Sequence, residues 1–171
     1  MEKYTTLKEV ILNGLSTLSH LIQKGEDFAR EGGKEESLLI TSSLAPDMYN
    51  LTKQIQIATD DARRNLFLLA GKEHIKMEDT EISFAELKER VQKTIDLVKS
   101  LKEEDFTGAD ERHISLYWMG GKYVLGKDFV SEFAYSNFFF HLVTAYDILR
   151  KEGVQIGKMD FITKFSMKEN Q

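Results

Sequence analysis

Cysteine is absent from this 171-residue chain. Disulfides, thiolate metal ligands and a cysteine nucleophile are therefore excluded, and a reducing, cytoplasmic setting is the expectation that accords with it. Proline occurs once, as Pro46, which leaves long stretches free to wind into uninterrupted helix. An excess of basic charge is also missing, since the formal net charge is −5. No nucleic-acid partner is expected, because such binders carry a basic stripe. Pairs such as Arg63-Arg64 are interleaved with acids and read as a solvated helix face. The most apolar stretch, 129–149, is broken by Glu132, Asn137, His141 and Asp147. It reads as a buried helix, so no membrane span is expected. The opening MEKYTTLKEV lacks the basic and apolar regions of a signal peptide.

The chain is 42% hydrophobic and 30% charged, ordinary for a globular protein. Its length suits one domain over residues 1–171 with one core, spanning about 3–163. Four segments carry helical periodicity. The first runs from about Leu7 to Ala29, with Leu7, Val10, Ile11, Leu15, Leu18, Leu21 and Ile22 on one stripe. The second begins near SLAPDM, where Pro46 suits a first helical turn and Asp47 complements the dipole. Its stripe is Leu51, Ile55, Ala58, Ala62, Leu66 and Leu69, and Gly71 is its stop. The third opens with the capping box Ser83 to Glu86 and buries Phe84, Leu87, Val91, Ile95, Val98 and Leu101. The fourth takes Asp128 as N-cap and runs to about Glu152, with Gly153 as C-cap.

Between the third and fourth helices the period changes to two. Ile114, Leu116 and Trp118 alternate with His113, Ser115 and Tyr117, and Gly120-Gly121 supplies a turn, which predicts a β-hairpin. The expected fold is all-α, a four-helix bundle with a small hairpin before the last helix. The link from the first helix to the second is roughly fifteen residues, long enough for a crossover. No repeat, linker or low-complexity segment is found, and the tail SMKENQ is expected to fray.

Chemistry concentrates on the fourth helix. Phe133, Asn137, His141, Thr144 and Ile148 share one face. On the second helix, Gln54, Asp61 and Asn65 flank the apolar stripe, while Gln56, Asp60 and Arg64 form a separate polar line. The pocket candidates are Asn137, His141, Gln56, Asp60 and Tyr146, the last at a subunit contact or capping the pocket. A metal site needs about three converging ligands, and His141 supplies one, with Asp60 or Gln56 approaching it. His20, His74 and His113 fall on other elements. A neutral imidazole bonded to a backbone carbonyl or to Asn137 is the preferred reading of His141, because one histidine is too few to hold zinc tightly. No catalytic residue or cofactor is assigned, with a divalent zinc or nickel ion kept as the alternative. Phe138, Phe139 and Phe140 cover most of their helix's circumference, which points either to a homodimer or to a loop folded over them.

The segments LAPDMYNLTKQIQIATDDA at 44–62, LAGKE at 69–73, the Gly-Gly hairpin and NFFFHLVTAYDILRKEGVQIGKMDF at 137–161 resemble the DinB/YfiT-like superfamily, in a branch known only as a domain of unknown function. The resemblance covers nearly the whole chain. It implies a four-helix bundle in up-down-down-up order with a long crossover, often dimeric. Metal-binding members of the superfamily use one histidine of the second helix and a His-x-x-x-His pair of the fourth to hold nickel or zinc, and some are thiol-dependent transferases or isomerases. Here the fourth-helix pair reads Asn137-x-x-x-His141, and the second helix offers Gln56, Ile57 or Asp60, so at most one of three ligands is present. The leading expectation is a dimeric module that binds a small molecule or a partner. The alternatives are a metal-dependent transferase or hydrolase using His141, and a purely structural protein.

Overall fold

Helix α1 spans Glu2–Arg30 and is the longest element of the computed structural model, which describes residues 2–169. It starts five residues ahead of the periodic stripe. Tyr4 supplies the reason: it is buried, stacks on Phe106 with 5.7 Å between ring centroids, and donates to Asp110 at 2.6 Å. A short α2, Glu36–Thr41, occupies the link to the next long helix.

Helix α3 spans Leu51–Leu69, which corrects the expected start at Pro46. Asn50 is the N-cap, its side chain accepting from Lys53 N at 2.9 Å. Pro46 instead falls in a turn ahead of the helix, closed by a bridge between Ser43 and Asn50. The capping carboxamide beside an apolar position outcompetes a proline with no apolar periodicity behind it. The six stripe residues of α3 are all buried. The helix stops at Gly71, whose φ of +66° is the left-handed cap conformation.

Segment 70–83 then returns alongside α3, where Lys53 reaches Asp79 at 2.6 Å and Gln56 donates to Glu81 at 2.9 Å. Helix α4, Phe84–Ser100, starts with Ser83 accepting from Glu86 N at 3.3 Å. The Glu86 carboxylate reaches back one residue further than a capping box requires, to Ile82 N at 2.6 Å. All six residues of the α4 stripe are buried.

The expected hairpin is real but short. β1, His113–Ile114, pairs antiparallel with β2, Val124–Leu125. The ladder ends there because Tyr117–Met119 winds into a 3-10 turn that leads directly to Gly120 and Gly121. Both glycines have positive φ, 60° and 80°, as a tight turn of that hand demands.

The last rod begins at Gly126, not after an Asp128 cap. It comprises α5, Gly126–Phe129, a π-helical turn at Val130–Ala134, and α6, Tyr135–Lys151. Gly126 sets the start, because a β-carbon there would collide with the Ala109 carbonyl. Gly153 (φ +98°) ends the rod as expected. A short α7, Lys158–Phe161, follows. Of the tail expected to fray, 166–169 forms no helix or strand and 170–171 lie outside the described residues.

The molecule is mostly helical, and α1, α3, α4 and α6 pack their stripes into one hydrophobic cluster. Among the described residues no helix is long and apolar enough to cross a membrane.

Candidate functional site

Helices α3 and α6 pack face to face, and their apolar stripes bring two polar pairs into register. His141 Nδ1 lies 2.7 Å from Gln54 Oε1, and Asn137 donates to the Asp61 carboxylate. Ascending α3 from Gln54 to Asp61 corresponds to descending α6 from His141 to Asn137. The π turn lies immediately before these α6 residues. Such turns add a residue to the helical circuit and often sit at functional sites; this one places Phe133 on the same wall as Asn137 and His141.

These side chains line a cleft of about 570 Å³. Asp61, Asn137 and His141 form its floor, and Tyr49, Trp118 and Phe133 its aromatic sides. Tyr49 and Trp118 come from the α2–α3 link and the hairpin turn and are more than half exposed. Each ring sets apolar surface beside a polar tip, which makes the cleft mouth amphipathic.

The protonation chemistry of the floor follows from burial. Gln54 Nε2 donates to Tyr49 O at 3.1 Å, so Oε1 is the atom presented to the histidine. An amide oxygen only accepts, so Nδ1 of His141 carries the proton. Nε2 is then left as a lone-pair acceptor, with no hydrogen-bond partner among the described residues. Burial pushes the His141 pKa down to about 4, and the ring is neutral at pH 7. Asp61 moves the opposite way, up to about 6. Burial is the chief cause, and the Arg64 guanidinium and the Asn137 hydrogen bond pull against it.

Of the residues expected at the site, Asn137 and His141 line the cleft and Asp60 borders it. Asp60 is committed elsewhere, its Oδ1 accepting from Arg63 at 2.8 Å and from Arg90 at 2.9 Å. Gln56 does not meet His141, because its amide is held by Glu81. Tyr146 lies away from the cleft, edge-on to Phe161 at 5.9 Å. The three other histidines are also apart: His20 pairs with Asp160 at 2.9 Å, His113 stacks on Tyr123, and His74 lies beyond α3. Among the described residues no group of three or more His, Asp or Glu is placed to hold a metal ion. The side chains around His141 do not fit the three-ligand metal centre that the superfamily resemblance implies.

Sequence reading also missed the charged network behind the cleft. Arg90 is 2% exposed and donates to Thr59 Oγ1, Glu78 O, Glu81 and Asp60, each at 2.8–2.9 Å. Arg63, expected on a solvated face, is also 2% exposed. Arginines on amphipathic helices are ordinarily outward, but the returning segment 70–83 meets Arg90 through Glu78, Asp79 and Glu81, and His74 and Lys76 stand with the hairpin residues beside Arg63.

A family model, "Domain of unknown function (DUF1993)", matches residues 4–162. A crystal structure of a DinB family member from Shewanella denitrificans is 34% identical. The match covers 98% of this chain and 95% of that one, with a TM-score of 0.92. No curated protein matches.

Proposed function

The chain belongs to the DUF1993 family and is DinB-like in fold, and on that premise we propose that it is a small-molecule-binding module without a three-histidine metal centre. One observation carries the reading: at the α3–α6 cleft the polar side chains pair with one another instead of converging on a shared point. His141 is bound to Gln54 and Asn137 to Asp61. What remains for a ligand is a hydrogen-bond acceptor, His141 Nε2, on the floor of a cleft with aromatic sides. Such a site suits a compact organic molecule with a flat apolar body and one N–H or O–H donor.

In the proposed up-down-down-up order α3 and α4 run parallel, so 70–83 is the crossover, in place of the link from the first helix to the second where the sequence suggested one. Support comes from the pairings: Gly25 packs on Phe84 and Leu149, Gly14 on Phe138, and Lys8 on the Leu101 carbonyl. The α6 residues Phe140 and Val143, 55% and 40% exposed, support a homodimer in which that strip meets a second copy. A cytoplasmic protein without a nucleic-acid partner accords with the missing cysteine and net negative charge.

The test is the metal content of untagged protein purified without chelator after growth with zinc and nickel, beside His141→Ala. The expected result is no stoichiometric metal in either. Near one ion per chain, lost in the variant, would overturn the reading in favour of the metal-dependent transferase.

A further inference from the structure

A second chamber, of about 320 Å³, opens beyond the hairpin end of the cleft and shares Asp60, Arg64 and Tyr117 with it. We propose that this chamber binds a phosphate group. Arg63, Arg64, His74 and Lys76 line it, with Ser115 at its edge. Arg63 is 2% exposed, and among the described residues nothing accepts from its Nε or Nη1. Arg64 Nε and His74 Nδ1 are buried and without a partner in the same way. Four polar nitrogens on three adjacent side chains are thus withdrawn from water with nothing to meet. Leaving a buried donor unpaired is costly, and more so for a charged one. A tetrahedral oxyanion with several acceptor oxygens suits the guanidinium N–H groups, and the His74 Nδ1 in the tautomer that carries its proton there.

The local charge supports an anion. The acids facing Arg63 and Arg64 are Asp60 and Asp61. Asp60 is shared between Arg63 and Arg90, and Asp61 is held by Arg64. Arg90 has Asp79 and Glu81 as well, whereas Arg63 has only its share of Asp60. Lys76 meets Glu78 only loosely, at 3.8 Å, near the surface. Burial, set against the pull of Asp60, lowers the Arg63 pKa, and burial followed by the two arginines lowers that of His74. In both, burial is the first cause, and it disfavours the charged form. The phosphate could be free, or it could be an ester group on a molecule whose body reaches past Tyr117 into the cleft; the second case rests on the reading of that cleft.

The experiment is an NMR titration of the whole protein, following the arginine Nε–H resonances and the His74 ring. Inorganic phosphate is expected to shift Arg63 and Arg64 Nε–H saturably and to raise the His74 titration midpoint. Arg63→Gln is expected to weaken binding by about tenfold or more, the loss of one or two charged hydrogen bonds. Lys76→Ala, at an exposed position that folding does not need, is expected to weaken it several-fold. If Arg63→Gln fails to fold, the wild-type titration and Lys76→Ala still decide. Phenyl phosphate binding more tightly than inorganic phosphate would assign an ester, and equal binding would assign the free ion. His141→Gln is expected to leave inorganic phosphate binding unchanged, so failure of the cleft reading and failure of this one are distinguishable. Chloride at equal ionic strength producing the same shifts, or acetate binding as well as phosphate, would overturn the proposal.

Discussion

His141 and Asp61 sit a few residues apart in space, and burial moves their protonation in opposite directions with opposite consequences for stability. The folded value of His141, about 4, lies below its ordinary 6.5. As pH falls through 6.5 the unfolded chain binds a proton that the folded chain refuses, so stability is lost on the acid side down to about pH 4. Urea unfolding of wild type and His141→Gln is therefore expected to show a stability gap that closes by up to about 3 kcal/mol over that window. A constant gap would mean that the ring is not kept neutral by burial. Asp61 is raised from 3.8 to about 6, so the folded chain holds its proton longer than the unfolded one. Stability is lost as pH rises from about 4 to 6, and the cost persists at neutral pH. Asp61→Asn is expected to stabilise the protein at pH 8 by on the order of 2 kcal/mol, with no gain at pH 4. A loss at pH 8 would show that the Arg64 pair outweighs the buried charge. The residue types were legible in sequence: Gln54 and Asp61 stood at the edge of the α3 stripe, Asn137 and His141 on one α6 face. The pairing was not, because it depends on the relative height of two helices.

Helix α1 meets α6 through a glycine, which makes their approach a property of the elements. A β-carbon on Gly14 would collide with the Phe138 ring, and one on Gly25 would stand 2.8 Å from Phe84 Cζ. Alanine in a helix interior ordinarily gains about 1 kcal/mol over glycine. Overpacking a filled core typically costs about 1–3 kcal/mol. Gly14→Ala is therefore expected to lower the thermal unfolding midpoint despite the better helix former, and a raised midpoint would show that Phe138 has room to turn. Element boundaries were legible where local chemistry sets them. Ser83 caps α4, and Gly71 and Gly153 terminate helices through positive φ. They were not legible where a neighbour sets them. The α5 start depends on Gly126 lying against Ala109, and α1 extends to Glu2 because Tyr4 finds Phe106.

The whole molecule leaves one apolar strip of α6 uncovered, with Phe140 and Val143 outward on a helix whose other faces are buried or line the cleft. Light scattering behind size exclusion is expected to give twice the chain mass, and Phe140→Asp to give the single chain mass. A monomeric wild type would leave the strip as ordinary scattered surface apolarity. What the sequence by itself determined is the four long helical segments, most of each buried stripe, the Gly-Gly turn and the incomplete histidine set, all of which follow from residue type and spacing along one element. The short α2, α5 and α7 and the half-buried Val10 were not foreseen. Only the tertiary structure decided that Arg63 and Arg90 are inside, that Gln56 faces Glu81 and not His141, and that Tyr49 and Trp118 wall a cleft. Those outcomes depend on where segment 70–83 and the hairpin turn return across α3. Burial is a property of what covers a residue, and periodicity along one helix cannot report what another segment brings to it.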